Sequence, residues 1–504
     1  MSFFQVVLIA LDSVVVAYVT TYFLLNLGFV VLSFFSIRRE LQAEQVLPAA
    51  STLDERFLPL VTLLVPAYNE EVTIAESVRS LLRLTYPAYE IVICNDGSKD
   101  RTVQVLLKEF QFVRAEFEYD DHLGTAPIRA FYESRAPLPP GLRRLVLIDK
   151  ENGGKADALN AAINVSRGEF VTSMDADSLL VPDALLLAAR PIQAAPREVV
   201  AVGVQVGLTN GSVVKGGRIV EARIPAAWIA RFQIVEYMRS FAQGRTALTA
   251  LNSVLILSGV FALMRRDLVI AIGGFLTKYM RSRIGIEYCG AGSHTVCEDM
   301  EIVVRLHRYL LDKGLPGRIV ALPFPTAWTE APENYRDIGK QRSRWYRGLL
   351  EVLNYHRAMM FRRRFGRIGL FALPYQLVFE ALAPVLECLG YMLLVVSSLL
   401  GFLSLTAFLA FLAFATAVNL CLSTLAVLLC IRAERLHGGS AEGLALFPYR
   451  RARDVLLLIA MGFVSSFGYR QYLAIWQLRG LWDFLKGKKG WDKFARQGFS
   501  AGGS

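Results

Sequence analysis

Asp175 and Asp177 stand two residues apart at the end of an apolar run, GEFVTSM (168–174). Carboxylates at this spacing can share a hard cation such as Mg2+ or Mn2+, whose shell often combines one or two carboxylates with substrate phosphates. Such an ion neutralises a diphosphate leaving group. The pair is common, and solvated loop carboxylates are the alternative. Asp96 closes another apolar run just before Gly97. It suits either a turn or acceptance of a hydrogen bond from a nucleobase N–H. Tyr68 and Glu70, at the end of a third run, could flank the same base. Gly153 and Gly154 allow close backbone approach, and Lys155 behind them could reach a phosphate or remain solvated. Glu298 and Asp299 precede the helical stretch EIVVRLHRYL (301–310). One of them could act as a general base, although carboxylates also stabilise helix N-termini without chemistry. Gln341, Arg344 and Trp345 lie in QRSRW, on a basic amphipathic stretch. The indole is a platform for a sugar ring and the guanidinium a phosphate partner. An interfacial tryptophan with snorkelling arginines is the other reading.

The elements that would position these groups alternate. Strands are expected at the apolar runs within 61–71, 90–100, 144–150 and 168–178, with helical stretches between them. That alternation predicts a mainly parallel sheet covered on both sides. In such sheets ligands gather beyond the carboxyl ends of the strands, where each of these strand-end motifs falls. Residues 118–143 lack a period and read as a surface excursion.

The 504 residues are 54% hydrophobic and 20% charged, with the apolar excess at the two ends. Residues 3–36 predict one membrane crossing, starting near residue 13, with the preceding part at the interface. Residues 369–400 and 405–431 predict two more, joined by a turn near Gly401, with Pro374 and Pro384 kinking the first. Glu380 and Glu387, seven apart, read as sharing one face, either lining a wet path or sitting near the interfaces. Residues 454–480, interrupted by Arg470, read as an amphipathic or re-entrant segment rather than a further crossing. The net charge of +11 clusters at the ends of these segments. This argues for anionic lipid headgroups as partners and against nucleic acid. Six scattered cysteines read as reduced, mostly buried thiols. The expected organisation is an N-terminal transmembrane helix (1–40), a linker (41–57), an α/β catalytic domain (58–330) and interfacial helices (331–367). Two transmembrane helices (368–432) and a cytoplasmic loop, a further segment and a basic tail (433–504) complete it.

Taken in order, VPAYNEE, NDGSKD, NGGKADALN, DAD, CED and QRSRW resemble the membrane-bound family 2 glycosyltransferases, especially the processive synthases of hyaluronan, chitin, poly-N-acetylglucosamine and cellulose. The resemblance covers about residues 55–400. It implies a GT-A (Rossmann-like) cytoplasmic domain with transmembrane and interfacial helices, UDP-sugar donors, Mg2+ or Mn2+, and a polysaccharide acceptor. By motif match, Tyr68, Glu70 and Asp96 hold the uridine, Lys155 contacts the diphosphate, and Asp175 and Asp177 handle metal and diphosphate. Asp299 is then the base, beside Glu298, and Gln341, Arg344 and Trp345 bind acceptor sugar and pyrophosphate. The chain departs from the family pattern at Cys297, where a threonine is usual, and no cellulose-synthase-type FxVTxK gating motif or PilZ-like region is found. The expected setting is the inner (plasma) membrane with the catalytic domain cytoplasmic, and with a secretion partner or homo-oligomer as a possible requirement. A lipid glycosyltransferase of the ceramide glucosyltransferase type is the alternative function.

Overall fold

The computed structural model describes residues 3–46, 54–401, 404–434, 449, 451–488 and 490. The strands are β1 (Val61–Ala67), β2 (Tyr89–Asp96), β3 (Phe112–Ala115), β4 (Ile128–Ser134), β5 (Leu142–Lys150), β6 (Phe170–Ser173), β7 (Ser178–Leu180), β8 (Val199–Leu208), β9 (Val213–Lys215), β10 (Arg218–Glu221), β11 (Ala262–Arg265) and β12 (Arg318–Thr329). The four strands expected from sequence are β1, β2, β5 and β6. They form the parallel centre of the sheet in the order β5-β2-β1-β6. Their apolar runs are buried on both faces, the signature of a parallel core. Leu63 and Val65 enter one packed layer with Ile74, Val78 and Leu81, while Leu64 enters the other with Leu159, Ile163 and Val303. This division follows from the two-residue period of a strand.

Flanking strands complete a mixed sheet, β3-β4-β5-β2-β1-β6-β11-β8-β12-β7. Strand β11 runs antiparallel between β6 and β8, and β12 runs parallel to β8. A separate hairpin pairs β9 with β10. The expected surface excursion at 118–143 is not irregular throughout, because it contains β4, which pairs antiparallel with β5. It is half-buried and lies one strand in from the sheet edge, between β3 and β5, so IRAFYES carries little of the apolar pattern that marks the central strands.

The N-terminal segment is one continuous helix, Phe3–Val46. It extends into the expected linker, of which residues 47–53 lie outside the described residues. Among the described residues, Ala10–Gln42 and Phe408–Ala433 are long and apolar enough to cross a membrane. Two bent pairs, Ile368–Ala381 with Ala383–Leu399 (41°) and Ala452–Val464 with Tyr469–Leu485 (57°), raise the number to four if each is one span. The first bend falls just before Pro384, whose ring and missing N–H interrupt a helix. Glu380 lies in the π-helical turn Gln376–Ala381 and Glu387 beyond the bend. Their seven-residue spacing therefore does not define a common face, since that inference needs an unbroken α-helix. The Glu387 carboxylate accepts a hydrogen bond from Tyr391 at 2.7 Å. All six cysteines are free thiols, and Cys94, Cys289, Cys297 and Cys430 are buried.

Candidate active site

The loops after β1, β2 and β5 are stitched together by their own polar groups. Asn69, at φ 54°, receives the Lys99 N–H at 2.8 Å, and the Ser98 hydroxyl receives the Asn69 N–H at 3.0 Å. The Glu70 N–H donates to Thr102 at 2.8 Å, and the Glu70 carboxylate accepts from Thr73 at 2.8 Å. Tyr68 is half-buried at the head of this loop. Asp96 is the staple to the third loop. Its carboxylate accepts from Lys150 at 2.8 Å, from the Gly153 N–H at 2.9 Å and from the Gly154 N–H at 2.8 Å. These take three of the roughly four acceptor positions of a carboxylate. Asp96 thus sets the loops, and a base could meet at most its remaining lone pair. Lys150 is fully buried and is also ion-paired to Asp157.

Lys155 begins the helix Lys155–Val165, and its ammonium reaches two other motifs. It lies 2.7 Å from an Asp175 oxygen and 3.0 Å from a Glu298 oxygen. Burial opposes its charge, but Asp175 and Glu298 outweigh that cost and hold its pKa above the ordinary value. Glu298 and Asp299 open the helix Glu298–Lys313. Glu298 is bound to Lys155, and Asp299 stands beside this pair. It accepts the Gly259 N–H at 3.2 Å and lies 3.5 Å from the Cys297 sulfur. Burial first, then the Glu298 charge, raise its pKa above the usual aspartate value, against the opposing fields of Lys155 and Arg245. A raised carboxyl pKa brings a general base closer to neutral working pH.

Gln341, Arg344 and Trp345 lie on the helix Tyr335–Tyr355, whose N-cap Asn334 accepts from the Asp337 N–H at 2.9 Å. Among the described residues, the buried Gln341 side-chain oxygen has no hydrogen-bond partner, the condition of an acceptor that a ligand hydroxyl would satisfy. Arg344 is close enough to Cys297 to oppose the rise in its thiol pKa, a rise driven first by burial. The Trp345 ring carries the Arg342 guanidinium at 4.4 Å, and Arg342 is ion-paired to Glu236, which also accepts from Tyr469 at 3.1 Å. Trp345 is joined to Asp299 through the helix it shares with Gly348, whose Cα lies so close to Cys297 that an added Cβ would overlap the cysteine.

Asp175 and Asp177 follow β6 and offer an all-oxygen donor set, which fits a hard divalent cation. Asp177 is buried, and Asp175 shares one oxygen with Lys155. Among the described residues, Cys289, Glu301 and His356 also bring ligating atoms within 4.8 Å of one another. There, however, Arg305 holds both oxygens of Glu301 at 2.8 and 2.7 Å, so a dication would face a buried guanidinium.

Sequence reasoning missed Lys150, Gly259 and Arg245. Lys150 reads as the end of a strand until Asp96 and Asp157 are seen on either side of it. Gly259 sits in LSGVF with no polar signal. Arg245 ends the π-helical turn Arg239–Arg245, stacks over Phe241 at 4.0 Å, and has its pKa lowered by burial to about 10. Wide helical turns of this kind often mark functional sites, but the sequence RSFAQGR does not announce one.

A sheet with a parallel centre, and acidic and basic groups converging beyond its strand ends, is the GT-A (Rossmann-like) arrangement expected from the sequence. The family described as "Glycosyl transferase family group 2" matches residues 170–429, just over half of the chain, and the chain belongs to it; "Glycosyl transferase family 2" matches residues 62–273. The protein is a glycosyltransferase. It is similar to the poly-beta-1,6-N-acetyl-D-glucosamine synthase of Staphylococcus aureus (strain COL), with 26% identity over 295 residues, 58% of this chain and 55% of that protein. The synthase of Staphylococcus epidermidis is 25% identical over 298 residues, again 58% of this chain and 55% of that protein. The chain therefore matches about half the length of these curated relatives. Among solved structures, a mannosyltransferase from Pyrobaculum calidifontis in complex with GDP-Man and Mn2+ is 18% identical, with a TM-score of 0.48, covering 95% of this chain and 100% of that one.

Proposed function

We propose that the protein is an inverting, metal-dependent synthase that transfers a sugar from a UDP-sugar to a growing β-linked polysaccharide at the cytoplasmic face of the inner membrane. The observation that carries this reading is the meeting of three motifs at Lys155, with Asp299 beside them and outside that ion-pair cluster. In the reaction, Asp299 takes the proton of an acceptor hydroxyl, the acceptor oxygen bonds to the anomeric carbon, and the bond from that carbon to the diphosphate breaks. Lys155 and Arg344 hold the departing negative charge, the preorganised stabilisation that lowers such barriers most. A divalent cation held by Asp175 and Asp177 supplies further charge neutralisation when bound. Direct displacement turns an α-linked donor into a β-linked product. Tyr68, Glu70 and Asp96 frame the uridine side, and Gln341 and Trp345 the acceptor side.

The similarity to poly-beta-1,6-N-acetyl-D-glucosamine synthases makes UDP-N-acetylglucosamine the first donor to test. Membranes containing the chain, supplied with this donor and Mg2+ or Mn2+, should release UDP and form polymer. Asp299→Asn should lower transfer by at least ~100-fold while UDP binding persists. Full turnover by that variant would remove Asp299 as the base. A product of lipid size would make this a lipid glycosyltransferase.

A further inference from the structure

The helix that carries Gln341, Arg344 and Trp345 also grips the segment leading into the catalytic-base helix. Tyr355 donates to the His294 carbonyl at 2.9 Å. Glu351 accepts from the Thr295 hydroxyl at 2.8 Å and from the Val296 N–H at 3.1 Å with the same oxygen. Its other oxygen lies 3.5 Å from Arg347. Thr295 in turn accepts the Cys297 N–H at 3.2 Å, and Cys297 is the N-cap residue of the helix that begins at Glu298. Gly348 leaves the space that lets the two backbones meet, since a Cβ there would overlap the Cys297 Cβ and stand 3.2 Å from its nitrogen. Residues 294–297 are thus each held by one helix, and Asp299 lies two residues further on. Gly348, Glu351 and Tyr355, at spacings of three and four, share one side of that helix.

We infer that Glu351 is a positioning residue for Asp299: it ties the base to the same rigid helix that carries the acceptor-binding residues, so that base and acceptor hydroxyl keep a fixed offset. The inference deepens the glycosyl-transfer reading and rests on it. The clamp reaches the proposed donor site only through Glu298, a competitor of the diphosphate for Lys155, so its loss acts on the chemical step and does not weaken donor binding. A displacement of about 1 Å at a reacting group costs on the order of 100-fold in rate.

The test uses the full chain in membranes with UDP-N-acetylglucosamine as donor. Glu351→Ala should lower kcat by about 10- to 100-fold, with KM for the donor and UDP affinity within about two-fold of wild type. Glu351→Gln keeps a carbonyl oxygen for the Val296 N–H and should recover most of the rate. Gly348→Ala should reproduce the kcat loss, and adding Cys297→Gly should relieve it by restoring the space. If Glu351→Ala fails to accumulate, the Gln and Gly348 variants decide alone. The inference is overturned by unchanged kcat in Glu351→Ala, by a Gln variant as impaired as Ala, by UDP affinity falling in step with kcat, or by full activity of Gly348→Ala. No turnover by the wild-type chain would instead sink the glycosyl-transfer reading itself.

Discussion

Lys155 holds carboxylates from two motifs at once, so a donor diphosphate must compete with Asp175 and Glu298 for its ammonium. Lys155→Met should raise donor KM and lower kcat together, because in the proposed reaction the lysine serves both the bound donor and its leaving group; steady-state kinetics with varied UDP-sugar would separate the two effects. Asp299 makes a second residue-scale prediction. Its pKa is raised by burial and by Glu298, so the deprotonated base disappears at a pH above the ordinary aspartate range. The acid limb of kcat against pH should therefore lie above that range. Arg245 opposes the rise. Arg245→Ala should shift the limb to still higher pH, and a shift in the other direction would contradict the proposed field at the base.

Among the elements, the tightest constraints fall where loops cross. Gly97 has φ 69°, and an added Cβ would stand 2.9 Å from the Asn152 nitrogen. Gly97→Ala combines left-handed strain with a backbone contact and should cost about 1–3 kcal/mol, measured as a lower thermal midpoint in detergent. The Glu298–Lys313 helix is anchored differently. Arg305 and Glu301, both essentially fully buried, form a bidentate pair, and Arg305 also donates to the Ile272 and Gly274 carbonyls at 2.6 and 2.7 Å. Burial disfavours the Glu301 charge, but Arg305 and His356 hold its pKa down at about 2. Arg305→Ala leaves that carboxylate buried and uncompensated, a loss of about 3–5 kcal/mol. Because this pair lies on the base helix, the same change should reduce activity in the protein that still folds.

At the scale of the whole molecule, acid stability and membrane topology follow from groups outside the proposed chemical step. Burial lowers the pKa of His307 from 6.5 to about 4, and that of His356 falls for the same reason. The unfolded chain then binds protons that the folded chain does not. The stability His307 contributes is complete above about pH 6.5 and is lost as pH falls toward 4. Thermal midpoints should decline over that window, and less steeply for His307→Gln. The bent pair Ala452–Val464 and Tyr469–Leu485 breaks at Gly468, with φ 86°. Basic residues flank both of its outer ends, at Arg451, Arg453, Lys486 and Lys488. The positive-inside bias then expects both ends on the cytoplasmic side. Cysteines placed at 451 and 488 should be labelled from that side by an impermeant thiol reagent, and labelling from opposite sides would make the pair a crossing.

The four central strands and the helix after CED were legible because local order determines them: two-residue burial in unbroken apolar runs, and a carboxylate-rich first turn ahead of an amphipathic period. The chemistry-bearing residue types at strand ends were legible for the same reason. Strand β4 was not, because a strand half open to solvent near the sheet margin needs no apolar pattern. Nor does the spacing of Glu380 and Glu387 tell whether they share a face, because a proline break resets helical phase. The sequence by itself determined which residues could do chemistry and which elements present them. Only the tertiary structure decided that Asp96 staples two loops together, that Lys155 pairs with Glu298 beside Asp299, and that the helix bearing Gln341, Arg344 and Trp345 also holds the segment before Asp299. Those assignments depend on contacts a few ångströms long between groups 30 to more than 100 positions apart, and spacing along a chain carries no information about distances set by packing.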